Sequence, residues 1–259
     1  MTFSLRLTAD LTLALAARAF GNKQGYPPIL QLSPETNFQT SSARFSTSTH
    51  QAINGASHSG TLVSRYRSPI LWISGAEPLD YPEVARFTNA LAASGRSVFL
   101  ETSGTLLKRR LHEFQPSNRF YFTVRFDGFA PSHDQRNARE GAFAVGLEAI
   151  RMARLAGFFT CALLVMHPHT APNELEQLHA GIRQLDVDGF LITRAALSPE
   201  LESTVKQLRH RLLSRRWALL SDLVESVTLP AASQNSCEID RQPFPDSPPS
   251  DFEEGAEAG

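Results

Sequence analysis

PILWISGAEPLDYPEVARFTNALAASGRSVFLETSG, residues 69–104, decides the fold class. Residues 70–74 (ILWIS) and 97–101 (SVFLE) are short, nearly continuous apolar runs, the pattern of strands buried on both faces. Between them, Pro82 to Ala93 carries Val84, Phe87 and Leu91 at helical spacing. A strand, a helix and a second strand within so few residues predict a parallel crossover unit. The same alternation continues downstream. RFYFTVRF at 119–126, FFTCALLVM at 158–166 and DGFLIT at 188–193 read as strands, and ILQLS at 29–33 reads as an earlier one. Helices are predicted over Thr105–Phe114, Ala138–Ala156 and Pro172–Leu185, the second ended by Gly157 and the third opened by Pro172. Six strands alternating with helices give an α/β fold with a parallel sheet. Spacing alone leaves a doubly wound sheet and an incomplete barrel both open.

The 259 residues suffice for one sizeable domain or two small ones, and 42% hydrophobic with 20% charged residues predicts an ordinary buried core. A formal charge of −1 gives no basic surface for nucleic acid or for an anionic membrane. Two cysteines, Cys161 and Cys237, stand far apart with no C-x-x-C pattern, which argues against a disulfide framework and for a cytoplasmic location.

The flanks read differently from the alternating region. Residues 1–27 contain an amphipathic helix, with Leu7, Leu11, Ala14 and Leu15 on one face. The apolar run within it is too short to span a bilayer, but residues 7–20 offer two uses: packing on the domain or peripheral contact with a membrane. Residues 34–69 are rich in Ser and Thr and read as a long loop. Residues 196–229 form a C-terminal helical segment whose basic residues, among them Arg209, Arg211, Arg215 and Arg216, suit a solvated face. Residues 230–259 are Pro-, Ser- and acid-rich and predict a disordered tail.

Candidate side chains outside that pattern are few. His167 and His169 follow the fifth strand, and His133 and His179 could join them around zinc; the plainer reading is a polar loop. No metal site is assigned. Cys161 lies inside an apolar strand and reads as a small buried hydrophobe. Arg125 lies near the end of a buried strand and needs a carboxylate partner if it points inward, Glu77 or Glu101 being the candidates.

Four stretches, in order, resemble the radical S-adenosylmethionine (radical SAM) family. Ile73-Ser74-Gly75-Ala76-Glu77-Pro78-Leu79 resembles that family's G-G-E-P-L turn, with Ala76 in place of the second glycine. Thr102-Ser103-Gly104-Thr105-Leu106-Leu107 resembles T-N-G-T-L-L, with Ser103 in the Asn place. Val124-Arg125-Phe126-Asp127-Gly128, His133-Asp134 and Gly141-Ala142-Phe143 resemble S-L-D-G, H-D and the start of the fourth helix, with Arg125 in the Ser place. Glu35 to Ala43 resembles the cysteine loop that follows the first strand, but its three cysteine positions fall on Thr36, Thr40 and Ala43.

The resemblance implies a partial (β/α)6 TIM-like barrel over residues 28–195, with residues 34–69 standing where the cluster loop would be. It implies S-adenosylmethionine as a ligand and Gly75, Glu77, Pro78, Ser103, Arg125 and Asp127 as cofactor-binding residues, Glu77 receiving the amino group. Thr and Ala are poor ligands for a 4Fe–4S cluster, which thiolates hold, so no cluster is expected. The expectation is a degenerate member, a pseudoenzyme that acts as a binding, sensor or partner subunit, with a partner protein or an adenosyl-type small molecule as its ligand. A non-radical enzyme using the remnant pocket is the alternative, with no catalytic residue assigned.

Overall fold

In a computed structural model of the protein, residues 4–19, 27–33, 67–196 and 198–229 are described. The loop positions Thr36, Thr40 and Ala43 and the tail from residue 230 lie outside them.

Six parallel strands run in sequence order, each paired with the next: β1 (Ile29–Leu32), β2 (Ile70–Ile73), β3 (Ser97–Thr102), β4 (Phe120–Phe126), β5 (Phe159–Met166) and β6 (Gly189–Arg194). Strand order equal to chain order is the mark of a barrel that winds one way, so the sheet is a half-barrel and the doubly wound alternative falls away.

The two faces of β4 differ. Phe122, Val124 and Phe126 lie on the side packed by α5 (Ala142–Leu155), whose Gly146 sits so close that a Cβ there would come within 3.0 Å of the Phe126 ring. Tyr121, Thr123 and Arg125 point to the other face. There Trp72, Phe99, Tyr121 and Phe159, directly opposite one another in the strand register, stack with ring centroids 5.7, 4.6 and 5.3 Å apart. Cross-strand aromatic pairs of this kind stabilise a sheet by about 0.5–1.5 kcal/mol beyond their buried area.

The helix α1 (Leu5–Ala19) closes the N-terminal mouth of the half-barrel. Leu7 and Leu11 are buried, and the Asp10 carboxylate accepts hydrogen bonds from Ser97, which opens β3, and from Arg119, just before β4, at 2.6 and 3.0 Å. The outer layer continues with α2 (Val84–Ala93), α3 (Leu107–Arg110), α4 (Ala130–Arg136), α5, α6 (Pro172–Arg183), α7 (Pro199–Leu212) and α8 (Arg215–Thr228).

One predicted helix is corrected, and the C-terminal helical segment is resolved into its parts. The long helix expected from Ala138 starts at Ala142, because Ala138 and Gly141 both have positive φ and the Asp134 carboxylate caps the later start, accepting from the Gly141 and Phe143 amides at 2.7 and 2.8 Å. The C-terminal helical segment is two helices. Buried Leu213 adopts extended backbone between them, and α8 turns back to contact both β6 and β1.

That return alters the reading of the basic segment. Arg209 is buried rather than solvated: its Nε donates to the Ile192 carbonyl at 2.7 Å and its guanidinium pairs with Asp222 and Glu225. Ser221 and Glu225 accept from the Ile192 and Arg194 amides at 3.2 Å, so side chains of α7 and α8 satisfy the free edge of β6. Trp217 covers the same strand, so close to Gly189 that any Cβ there would overlap its ring. Arg215 and Arg216 are exposed, as expected of a solvated face.

Candidate functional site

The loops after β2, β3, β4 and β5 meet at the C-terminal ends of the strands, where parallel α/β folds place their sites. Each is built by local rules. After β2, Gly75 adopts φ 151° and leads to Glu77, which caps a short 3-10 turn over Pro78–Asp80. After β3, Gly104 has φ 85°, and a Cβ there would meet the Ala149 Cβ at 2.7 Å, so only glycine brings this loop against α5.

Glu77 ties these two loops together. Its Oε1 accepts from the Leu79 amide and the Thr102 hydroxyl at 3.2 and 2.8 Å; its Oε2 accepts from the amide and hydroxyl of Ser103 at 2.9 and 2.6 Å. Both oxygens are therefore engaged by the protein's own donors.

A cavity of about 270 Å³ opens beside this staple. Gly75, Ala76 and Pro78 line it from the β2 loop, Glu101, Thr102 and Ser103 from the end of β3 and just beyond, Arg125 and Asp127 from the end of β4 and just beyond, Arg136 and Asn137 from the end and cap of α4, and His167 from just beyond β5. Of the residues expected at the site, Gly75, Pro78, Ser103, Arg125 and Asp127 line the cavity, and Glu77 stands beside it in the staple.

Charge is concentrated on one side. The Arg125 Nε lies 3.0 and 3.2 Å from the two Asp127 carboxylate oxygens, its Nη2 lies 2.8 Å from Oδ1, and its Nη1 reaches Glu101 Oε1 at 3.5 Å. The expected carboxylate partner thus exists: it is Asp127 first and Glu101 second, not Glu77. His167 Nε2 lies 2.9 Å from Asp127 Oδ1, which assigns the proton to Nε2 and leaves Nδ1 with no partner among the described residues. Burial alone would raise the Asp127 carboxyl, but the hydrogen bonds from His167 and Arg125 outweigh it and hold the group well below the usual carboxylate range.

Glu101 is balanced differently. Burial pushes its carboxyl up, and the pull of Arg125 and of the Trp72 indole N–H, which donates to Oε2 at 3.0 Å, does not reverse it.

The four histidines weighed for zinc do not converge. His133 is buried behind the site and its Nδ1 accepts the Asp127 amide at 3.0 Å. His179, on α6, packs against Phe190 of β6, His169 is exposed, and of the four only His167 faces the cavity. Among the described residues no three His, Cys, Asp or Glu side chains form a metal-holding group. Cys161 is fully buried in β5, and burial pushes its thiol well up, as a core residue and not a thiolate ligand.

Glu101, His167 and Arg136 line the cavity beside the residues that the motifs pointed to. Glu101 carried a signal, as the one charged residue in an otherwise apolar strand. The role of Arg136, which donates to the Asp127 carbonyl and to Thr170 Oγ1, depends on the fold alone.

The parallel half-barrel thus carries a cavity at the C-terminal mouth of its (β/α) sheet. The radical SAM superfamily model matches residues 61–180, a stretch that runs from ahead of β2 into α6. The chain is similar to the AdoMet-dependent heme synthase of Methanosarcina barkeri (strain Fusaro / DSM 804), 35% identical over 98 residues, which cover 37% of this chain and 28% of that protein. Its fold is similar to Streptococcus suis SuiB bound to S-adenosylmethionine, with TM-score 0.52, 12% identity, and coverage of 81% of this chain and 54% of that one. SuiB bound to the precursor peptide SuiA gives TM-score 0.52 at 11% identity, over 82% and 53% of the two chains. The chain thus spans little more than a quarter of the curated relative and about half of SuiB.

Proposed function

We propose that this chain uses a radical SAM barrel to bind an adenosyl-type small molecule, S-adenosylmethionine first among them, without holding a 4Fe–4S cluster on three thiolates of its own. In this reading it works as a binding, sensor or partner subunit. One observation carries the proposal: the chain has two cysteines, and Cys161 is sealed inside β5. The donor set therefore does not fit a cluster that three thiolates hold. The family-model match begins at residue 61, beyond Thr36, Thr40 and Ala43.

The ligand side of the proposal rests on the cavity. It is lined by both signs of charge, which suits a ligand that is itself zwitterionic, and by hydroxyl and backbone groups of the β2 and β3 loops. S-Adenosylmethionine, when bound, supplies an adenosyl group, a sulfonium and an amino-acid end. The chain's own residues orient it: Glu77 fixes the two loops, and Arg125 and Asp127 hold the β4 end rigid.

The test has two parts. Anaerobic reconstitution with iron and sulfide is expected to leave no stoichiometric cluster absorbance, and about four irons per chain would overturn the reading. Calorimetry on the metal-free protein is expected to detect S-adenosylmethionine in the micromolar range, and no heat at millimolar ligand would remove the adenosyl assignment.

A second reading, a non-radical enzyme, is favoured by one observation. Asp127 orients His167 so that the imidazole keeps a free nitrogen beside the cavity, the arrangement of a general base. A proton-transfer activity on an adenosyl compound that disappears in His167→Gln would establish it.

A further inference from the structure

The buried charge at the cavity does not balance. Glu101 and Asp127 are both more than nine-tenths buried, and one guanidinium, Arg125, serves them. Arg136 is exposed and is turned toward a backbone carbonyl and Thr170. His167 Nε2 also lies on Asp127, at 2.9 Å, and not on Glu101.

The deficit falls on one carboxylate. Asp127 has three close donor contacts from Arg125, between 2.8 and 3.2 Å, and a fourth from His167. Glu77, outside the buried pair, is saturated by two amides and two hydroxyls. Glu101 has a neutral indole on Oε2, and on Oε1 only the far edge of Arg125 at 3.5 Å, the limit of a hydrogen bond. A buried carboxylate with so weak a cationic partner is costly unless it is neutralised.

We propose that Glu101 is the anchor for a cationic nitrogen of the ligand, a primary ammonium group that completes the Glu101–Arg125–Asp127 cluster. An organic cation suits the site better than a metal ion, since no third ligating side chain joins the carboxylates among the described residues. The inference rests on the reading that this cavity is the ligand site, and it moves recognition of an amino group from Glu77, whose oxygens are spent, to Glu101.

The test uses two adenosyl compounds and the full chain. S-Adenosylhomocysteine carries an α-ammonium; 5′-methylthioadenosine does not. Calorimetry is expected to give about tenfold tighter binding of the first, the size of one charge-assisted hydrogen bond. In Glu101→Gln that ratio is expected to fall to about one, with 5′-methylthioadenosine unaffected. The ligand's carboxylate cannot mimic this loss, because removing Glu101 relieves its repulsion. A preference for S-adenosylhomocysteine that survives in Glu101→Gln overturns the proposal. If neither compound binds, the adenosyl reading fails by itself. The anchor is then judged with n-butylammonium chloride, by the carbon-13 signal of the Glu101 carboxyl in wild-type protein. A saturable shift at millimolar amine supports it, and an unmoved signal ends it. The same amine titration decides the matter if Glu101→Gln does not fold.

Discussion

The two mouths of the half-barrel are each built on an aspartate and an arginine, and they do different things. At the N-terminal mouth Arg119 lies 3.0 Å from Asp10, with Ser97 as a further donor, and α1 covers the whole arrangement. At the C-terminal mouth Arg125 lies 2.8 Å from Asp127, but Glu101 stands beside them short of a partner and a cavity lies above. Similar distances therefore do not separate a fully partnered pair from one that borders an open cavity. What separates them is whether the protein's own donors use up every buried acceptor.

The comparison makes predictions of decreasing size. Asp10→Ala leaves a largely buried guanidinium and the buried Ser97 hydroxyl unpaired. It is expected to cost about 3 kcal/mol in urea unfolding, with ligand affinity at the other mouth unchanged. Gly104→Ala breaks the β3 loop instead, by a positive φ and a Cβ clash; about 2 kcal/mol of stability and a measurable loss of binding should go together.

The third prediction concerns pH and separates the two carboxylates of the cavity. The folded-state pKa of Asp127 is depressed, so its contribution is complete above the unfolded value of about 4 and is lost as pH falls further. The folded-state pKa of Glu101 is raised, so its contribution is present below the unfolded value and is lost as pH rises through the folded one. Glu101→Gln is therefore expected to raise the urea midpoint at pH 8 relative to wild type and to leave it unchanged near pH 4. A midpoint that moves equally at both pH values would contradict the raised pKa. The smallest effect belongs to a surface pair, Arg151 and Glu148, both more than half exposed; Glu148→Ala should change stability by less than about 0.5 kcal/mol.

All six strands were legible because each is a continuous apolar run closed by polar or turn residues, and burial on both faces writes that pattern into the sequence. The helix Ala130–Arg136 was not legible. APSHDQR has no apolar period, and it is held by Pro131 in its first turn and by His133 buried beneath Asp127. The break at Leu213 was hidden for a related reason, since neither Leu213 nor Ser214 is a helix breaker and the turn follows from burying Leu213.

At the site, Gly75, Pro78, Ser103 and Asp127 could be read because they stand in short contiguous motifs. The Glu101–Arg125 contact could not be assigned, since it depends on register. Glu101 lies opposite Thr123 on the neighbouring strand, and Arg125 reaches it as the diagonal neighbour two residues on.

The treatment of β6 has a consequence for handling the protein. Ser221, Glu225 and Arg209 occupy backbone groups that would otherwise accept another strand. A chain cut after Leu212 loses two of these three blockers together with the Trp217 cover over Gly189. Such a truncation would present a bare, mostly apolar strand edge to its neighbours in solution, and the expected product is a self-associating species on gel filtration where the intact chain runs cleanly.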